Sequence, residues 1–322
     1  MPPETEPENK EVQKERYNQM RSFLGNDISD ASIRIFNASG FEISSSATKP
    51  FVDFTNWINA RPYFIREWRS TPKTEQTLYP RFMTVTGGVR SAYSAVCYHL
   101  MRIKEIESSV DRILSEYDFS KTIGKSQTMG FGNMIQLDFE YHSYVLAYRR
   151  CLDYMAFGIS TYFNQQQSSY NKKFRKFLEK AQPRLVADAL LSVYDAHLEN
   201  FSFVLGTERG KSLRDRIGHS EFVSAASINI TATGHHFIGG GEGIGINNSQ
   251  DSRSLSKILD DRAYNLHKFI TEFLNNFQES VEKYEETLPK KKKRVIFSPN
   301  YSYYKINNDE FYIKIENNWI IK

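Results

Sequence analysis

The sequence predicts a mainly α protein: a four-helix bundle with a β-hairpin insertion, a mixed α/β N-terminal prefix and a small C-terminal antiparallel β tail. Three observations lead there. Four long segments carry apolar residues at steps of three and four, the period of an amphipathic helix. That period stops between Phe222 and Asn248, where short apolar pairs and glycines replace it. After Arg294 the apolar residues alternate, as in strands.

Taken in order, residues 1–25 contain Pro2, Pro3 and Pro7 before a charged stretch and read as a flexible tail. Residues 26–88 are the mixed prefix. Ile33, Ile35, Phe41 and Ile43 alternate like short strands, and the aromatic cluster Phe54, Trp57, Tyr63, Phe64 and Trp68 has the spacing of a buried helix. The bundle is expected over 89–288. Its first helix follows Gly87-Gly88, with Val89, Ala92, Val96, Leu100, Ile103, Ile106, Val110 and Ile113 on one face. The second follows the glycines at 130 and 132, with Leu137, Tyr141, Val145, Tyr148, Leu152, Met155 and Ile159 as its stripe. A short basic helix near Tyr170 precedes the third, which Pro183 opens and whose inward positions are Leu185, Ala189, Leu190, Val193, Leu198 and Phe201. The hairpin insertion spans 222–248. Ser254 then caps the fourth helix, with Leu255, Leu259, Leu266, Phe269, Ile270, Phe273, Phe277 and Val281 facing the core. Residues 289–322 form a basic linker and the β tail, with Asn307-Asn308 at its turn.

Composition bounds the function. The 322 residues include 42 Lys+Arg and 38 Asp+Glu, a net charge of +4 that permits a polyanionic partner without requiring one. Mean hydropathy is −0.54, and no segment approaches the ~18 consecutive apolar residues of a membrane span. The acidic, polar N-terminus is unlike a signal peptide, so the expected setting is a reducing cytoplasm, with Cys97 and Cys151 as buried thiols.

The stretch from Lys211 to Ser220 concentrates the chemistry. Ser212 can cap a helix that starts at Leu213, with Asp215 where a capping box places its acidic partner. Arg214 then sits in the first turn, its guanidinium free to reach outward, and His219 follows five residues later beside Gly218. Five steps of about 100° leave the two side chains roughly 140° apart around the axis, a splay that one copy cannot close on a single substrate atom. Two copies about a two-fold axis would line one cleft with two arginines and two histidines.

Arg214, the polar Asp215 directly after it, and His219 fit an R-x(4–6)-H signature. In that motif and in its helical surroundings over residues 89–285, the chain resembles the HEPN superfamily of four-helix bundles, many of them dimeric, metal-independent endoribonucleases. The resemblance implies a homodimer that cleaves RNA with Arg214 and His219, supported by Asp215, without metal or cofactor. It also implies a toxin or antiviral-defence setting, where a neutralising partner protein would have a place. Lys211 and Arg216 beside the pair, and the run Lys290, Lys291, Lys292, Lys293 and Arg294, are the candidate phosphate contacts, the run reading equally as a solvated linker. A non-catalytic scaffold of the same architecture, used for dimerisation and binding, is the alternative.

Other motifs are weaker. Arg262 and His267 repeat the spacing inside a continuous helix and read as a chance match. Gly124-Lys125-Ser126 lacks the first glycine of a phosphate-binding loop, where Phe119 stands. The glycine run at 239–245 does not open into a helix, and His235-His236 on a strand would point to opposite faces, so no metal site is expected.

Overall fold

The computed structural model describes residues 18–19, 21–22, 25–60, 72–118, 128–131, 134–163, 165, 167–206, 212–219, 222–231, 236–240, 254–288, 302–306 and 309–313. The chain divides into two compact units, residues 1–284 and 285–322. The described residues are mainly helical.

In the first unit the helices are α1 (Asn26–Ser39), α2 (Ser45–Ala60), α3 (Pro72–Ser115), α4 (Ile135–Tyr162), α5 (Lys172–Leu178), α6 (Arg184–His197), α7 (Ser202–Leu205), α8 (Leu213–His219) and α9 (Leu255–Glu286). A 3-10 turn, Leu198–Phe201, joins α6 to α7. Three strands, β1 (Thr128–Phe131), β2 (Ala226–Thr231) and β3 (His236–Gly240), form an antiparallel sheet with β2 in the middle. Ile228 of β2 stands opposite Phe131 on one side and Ile238 on the other. In the second unit β4 (Ser302–Ile306) and β5 (Asp309–Ile313) pair antiparallel, with Ile306 opposite Asp309.

The core is an aromatic seam along α9. Phe277 is fully buried and meets Phe54 of α2, Phe82 of α3 and Tyr162 of α4 at ring-centroid separations of 6.1, 5.8 and 5.1 Å. Burying one such ring stabilises the fold by roughly 1.5–3 kcal/mol. Nearer the start of α9, the Tyr144 hydroxyl donates to the Leu259 carbonyl at 2.8 Å, which ties α4 to α9. Phe269 packs edge-on against Phe201 at 5.0 Å, which brings the α6–α7 corner onto the same helix. The Trp57 indole donates to Glu282 at 2.9 Å, tying α2 to α9.

Several elements differ from the sequence reading. Ile33 and Ile35 lie within α1, and Ile43 precedes α2, so the described residues of the prefix, 26–60 and 72–88, carry helices and no strand; two alternating isoleucines are too short a run to separate period 2 from period 3.6. Gly87-Gly88 does not start a helix but sits inside α3. A Cβ on Gly88 would stand 3.0 Å from the Tyr154 ring, so the glycine admits an aromatic side chain of α4. Strand β1 was not expected. On α6 and the turn after it, Leu190, Val193 and Phe201 are buried as expected, but Leu185 and Leu198 are exposed, and Val186, Ala187 and Tyr194 complete the buried face in their place. Cys151 is buried but Cys97 is half-buried, both are free thiols, and burial pushes the Cys97 thiol up to about 11.

Candidate functional site

Helix α8 begins where its cap dictates. The Asp215 N–H donates to the Ser212 hydroxyl at 3.0 Å, satisfying one of the orphan donors of the first turn, and both Ser212 and Leu213 are buried. The helix lies against α4 and α7, with Ile217 packed on the core. The chain beyond α8 is held to α4 by two anchors. Buried Asp138 accepts the Ala225 N–H at 2.6 Å, and His142 Nε2 meets the Val223 carbonyl at 2.7 Å.

Within this frame the three predicted side chains converge. Arg214 Nη1 donates to Asp215 Oδ1 at 2.8 Å and stands 3.4 Å from His219 Nε2. The expected splay is therefore corrected. The 140° separates the Cα–Cβ directions, whereas the long arginine side chain reaches around the end of a short helix that His219 itself terminates. A guanidinium has no acceptor, so any hydrogen bond between the two has Arg214 as its donor. Arg214 is not free, as the sequence reading had it: its hydrogen bonds run to Asp215 and His219. Both Arg214 and Asp215 keep substantial exposure, 39% and 50% of their side chains, so a ligand can reach them.

The Asp215 carboxyl is held below its usual range, first by the Ser212 hydroxyl, then by Arg214, with Arg149 adding a weaker pull through space. Arg149 is fixed by Asp153 at 3.1 Å and Ser169 at 2.5 Å. The sign follows: the stability that Asp215 lends to the start of α8 is present above the ordinary aspartate range and is lost as pH falls through the depressed value.

The second R-x-H match separates in space. His267 Nε2 contacts the Ala47 carbonyl at 3.3 Å and its ring stands 5.5 Å from that of Tyr93, whereas Arg262 lies over the Phe203 ring at 4.0 Å. His267 thus ties α9 to α2. Burial holds its imidazole below the usual range, against the opposing effect of the Ala47 carbonyl. As pH falls through the ordinary histidine range, the unfolded chain takes up a proton that the folded chain resists, so stability declines. Urea unfolding at about pH 7.5 and about pH 5.5 should show that loss, at most about 1.4 kcal/mol per pH unit from this group. His267→Gln should flatten the slope and leave any cleavage activity unchanged.

Arg216 is half-buried on α8. Lys211 and residues 290–294 lie outside the described residues, as do His235 and Glu242. Among the described residues no group of three or more His, Cys, Asp and Glu side chains could hold a metal ion, and no helix is long and apolar enough to cross a membrane. Sequence reasoning missed Arg149, whose charge acts on Asp215 from α4, because helix packing brings together positions far apart in sequence that no local spacing encodes.

No family model, curated protein or solved structure matches the chain.

Proposed function

We propose that the chain is a cytoplasmic, metal-independent endoribonuclease of HEPN type built on a four-helix bundle. It would act in a toxin or phage-defence setting. The observation that carries this reading is the approach of Arg214 to both Asp215 and His219 on one exposed helix end. His219 takes the proton of the attacking 2′-hydroxyl, the P–O5′ bond breaks as the P–O2′ bond forms, the leaving 5′-oxygen takes a proton from solvent, and the planar fork of Arg214 meets the charge that builds on the phosphoryl oxygens. Asp215 aims the guanidinium. The products then end in a 2′,3′-cyclic phosphate, which mass spectrometry of RNA digested in the presence of a chelator would identify. Products with a 3′-hydroxyl would exclude this chemistry.

A homodimer completes the proposal by setting a second pair across the cleft. Ile135, Phe139 and Leu146 on α4, together with Phe222 just after α8, are exposed apolar side chains. Phe139 and Phe222 meet edge-on at 6.5 Å. An apolar patch beside the site suits contact with a second copy, and a stable contact needs about 800 Å² from each partner. Light scattering at micromolar concentration should give the mass of two chains, and Phe139→Asp with Phe222→Asp should give one. A monomeric wild type would remove the composite cleft. The same patch favours the alternative, a non-catalytic scaffold, if RNA is left intact.

A further inference from the structure

The short basic helix expected near Tyr170 is α5. Between Lys172 and Arg184 the chain has six cationic side chains and one carboxylate, a local charge of +5 against +4 for all 322 residues. The helix is fixed from beneath. The Asn171 side chain caps it by accepting the Lys173 and Phe174 N–H groups at 2.8 and 3.2 Å, and Phe174 and Leu178 are fully buried. The Arg175 fork grips Asp195 of α6 at 2.7 and 2.9 Å. The nearby carboxylates go to the arginines: Asp195 and Glu179 to Arg175, and Asp188 to Arg184. The lysines are left over. Lys173, Lys176 and Lys180 are exposed and pair with no carboxylate among the described residues, whereas Lys49, Lys104, Lys257, Lys268 and Lys283 each stand within 4.0 Å of one.

Helical geometry gathers these three charges. Steps of three and seven residues put Lys173, Lys176 and Lys180 within an arc of about 60° around the axis. The helical backbone at Glu179, with the Lys180 N–H donating to the Phe177 carbonyl at 3.0 Å, carries the face past the end of α5. Like charges at these spacings repel and weaken a helix, so a face kept this way suits an anion from outside the chain. We propose that Lys173, Lys176 and Lys180 form a docking surface for the phosphate backbone of a nucleic-acid strand. Their steps along the axis, about 4.5 and 6 Å, are of the order of the ~3.4 Å axial repeat of charge on one strand, so the stripe can meet successive phosphates. Carboxylates of an acidic protein suit arginine forks, and here those forks are already filled, whereas an ammonium on a flexible stem follows phosphates without a fixed orientation. A membrane surface fits less well, because no large apolar side chain of α5 is exposed to enter it. That the strand is RNA on its way to Arg214 and His219 rests on the nuclease reading. The surface itself does not.

The test uses the full chain and a fluorescent 2′-deoxy oligonucleotide, which has no 2′-hydroxyl to be cut through, with anisotropy read across salt concentrations. The wild type should bind saturably, and affinity should fall as salt rises. Lys173→Gln, Lys176→Gln and Lys180→Gln together should lower affinity at least about tenfold at low salt and make the slope of log affinity against log salt shallower by about 2 to 3. The same three changed to arginine should keep both. Lys49→Gln, Lys257→Gln and Lys283→Gln together remove as much charge from paired positions and should leave affinity within about twofold. All these side chains are exposed, so the folds should survive, which circular dichroism checks. Lys176→Glu alone, in the middle of the stripe, should also weaken binding and keeps the test decisive if the triple variant fails to fold. Absence of saturable binding, an equal loss in the two glutamine triples, or lysine-dependent binding to polyglutamate or to phosphatidylserine vesicles but not to the oligonucleotide, would overturn the surface. RNA cleavage with no lysine-dependent oligonucleotide binding sinks this inference and spares the nuclease reading. Lysine-dependent binding by a folded chain that cuts no RNA does the reverse.

Discussion

Replacing His219 or Arg214 with alanine is expected to lower RNA cleavage by about two to four orders of magnitude in each case, the range of a positioned general base or of a charge-stabilising donor. The two effects should not add fully, because Nη1 of Arg214 and Nε2 of His219 are 3.4 Å apart and serve one phosphoryl group. Arg214→Lys should not rescue: the ammonium keeps the charge but cannot hold Asp215 and present two parallel donors at once. Asp215→Asn keeps an acceptor oxygen but loses the charge, so a smaller loss is expected. Single-turnover rates with saturating enzyme separate these effects from changes in RNA affinity.

Gly158→Ala should be the most damaging glycine-to-alanine substitution among the described residues. A Cβ at Gly158 would lie 1.5 Å from Val85 Cγ2 and 2.8 Å from Val85 Cβ, and Val85 is itself buried in α3. Neither neighbour can swing away, since one is a branched side chain in the core and the next nearest atom, at 3.3 Å, is backbone. The helices α3 and α4 must separate, at the upper end of the about 1–3 kcal/mol typical of overpacking or beyond it. Urea unfolding should show a lower midpoint, and Val85→Ala in the same chain should recover part of the loss by removing the nearest atom. An unchanged midpoint would mean that the two helices do not touch at this glycine.

The long helices were legible because burial repeats along them. On α4 the expected stripe of Leu137, Tyr141, Val145, Tyr148, Leu152, Met155 and Ile159 is buried throughout, and on α9 so are Leu255, Leu259, Leu266, Phe269, Phe273 and Phe277. Short-range chemistry was legible too, since the Ser212 cap and the start of α8 depend on neighbours within one turn. Glycine misled at 87–88, where close helix approach and chain breaking leave the same residue in the sequence. Strand β1 escaped because it is four residues long and its partner, β2, lies about a hundred positions away. The distance between Arg214 and His219 could not be read from helical geometry alone, which fixes where a side chain starts and leaves open where an arginine ends.

The central claim is that this chain cuts RNA with Arg214 and His219 and needs no metal to do so. Purified full-length protein incubated with end-labelled RNA in excess chelator, beside the His219→Ala chain at equal concentration, measures it directly. The wild type should cut at an unaltered rate with chelator present, while the variant, folded to the same extent by circular dichroism, should leave the RNA almost intact. RNA left uncut by a folded wild type, or cut equally by both proteins, would contradict the claim.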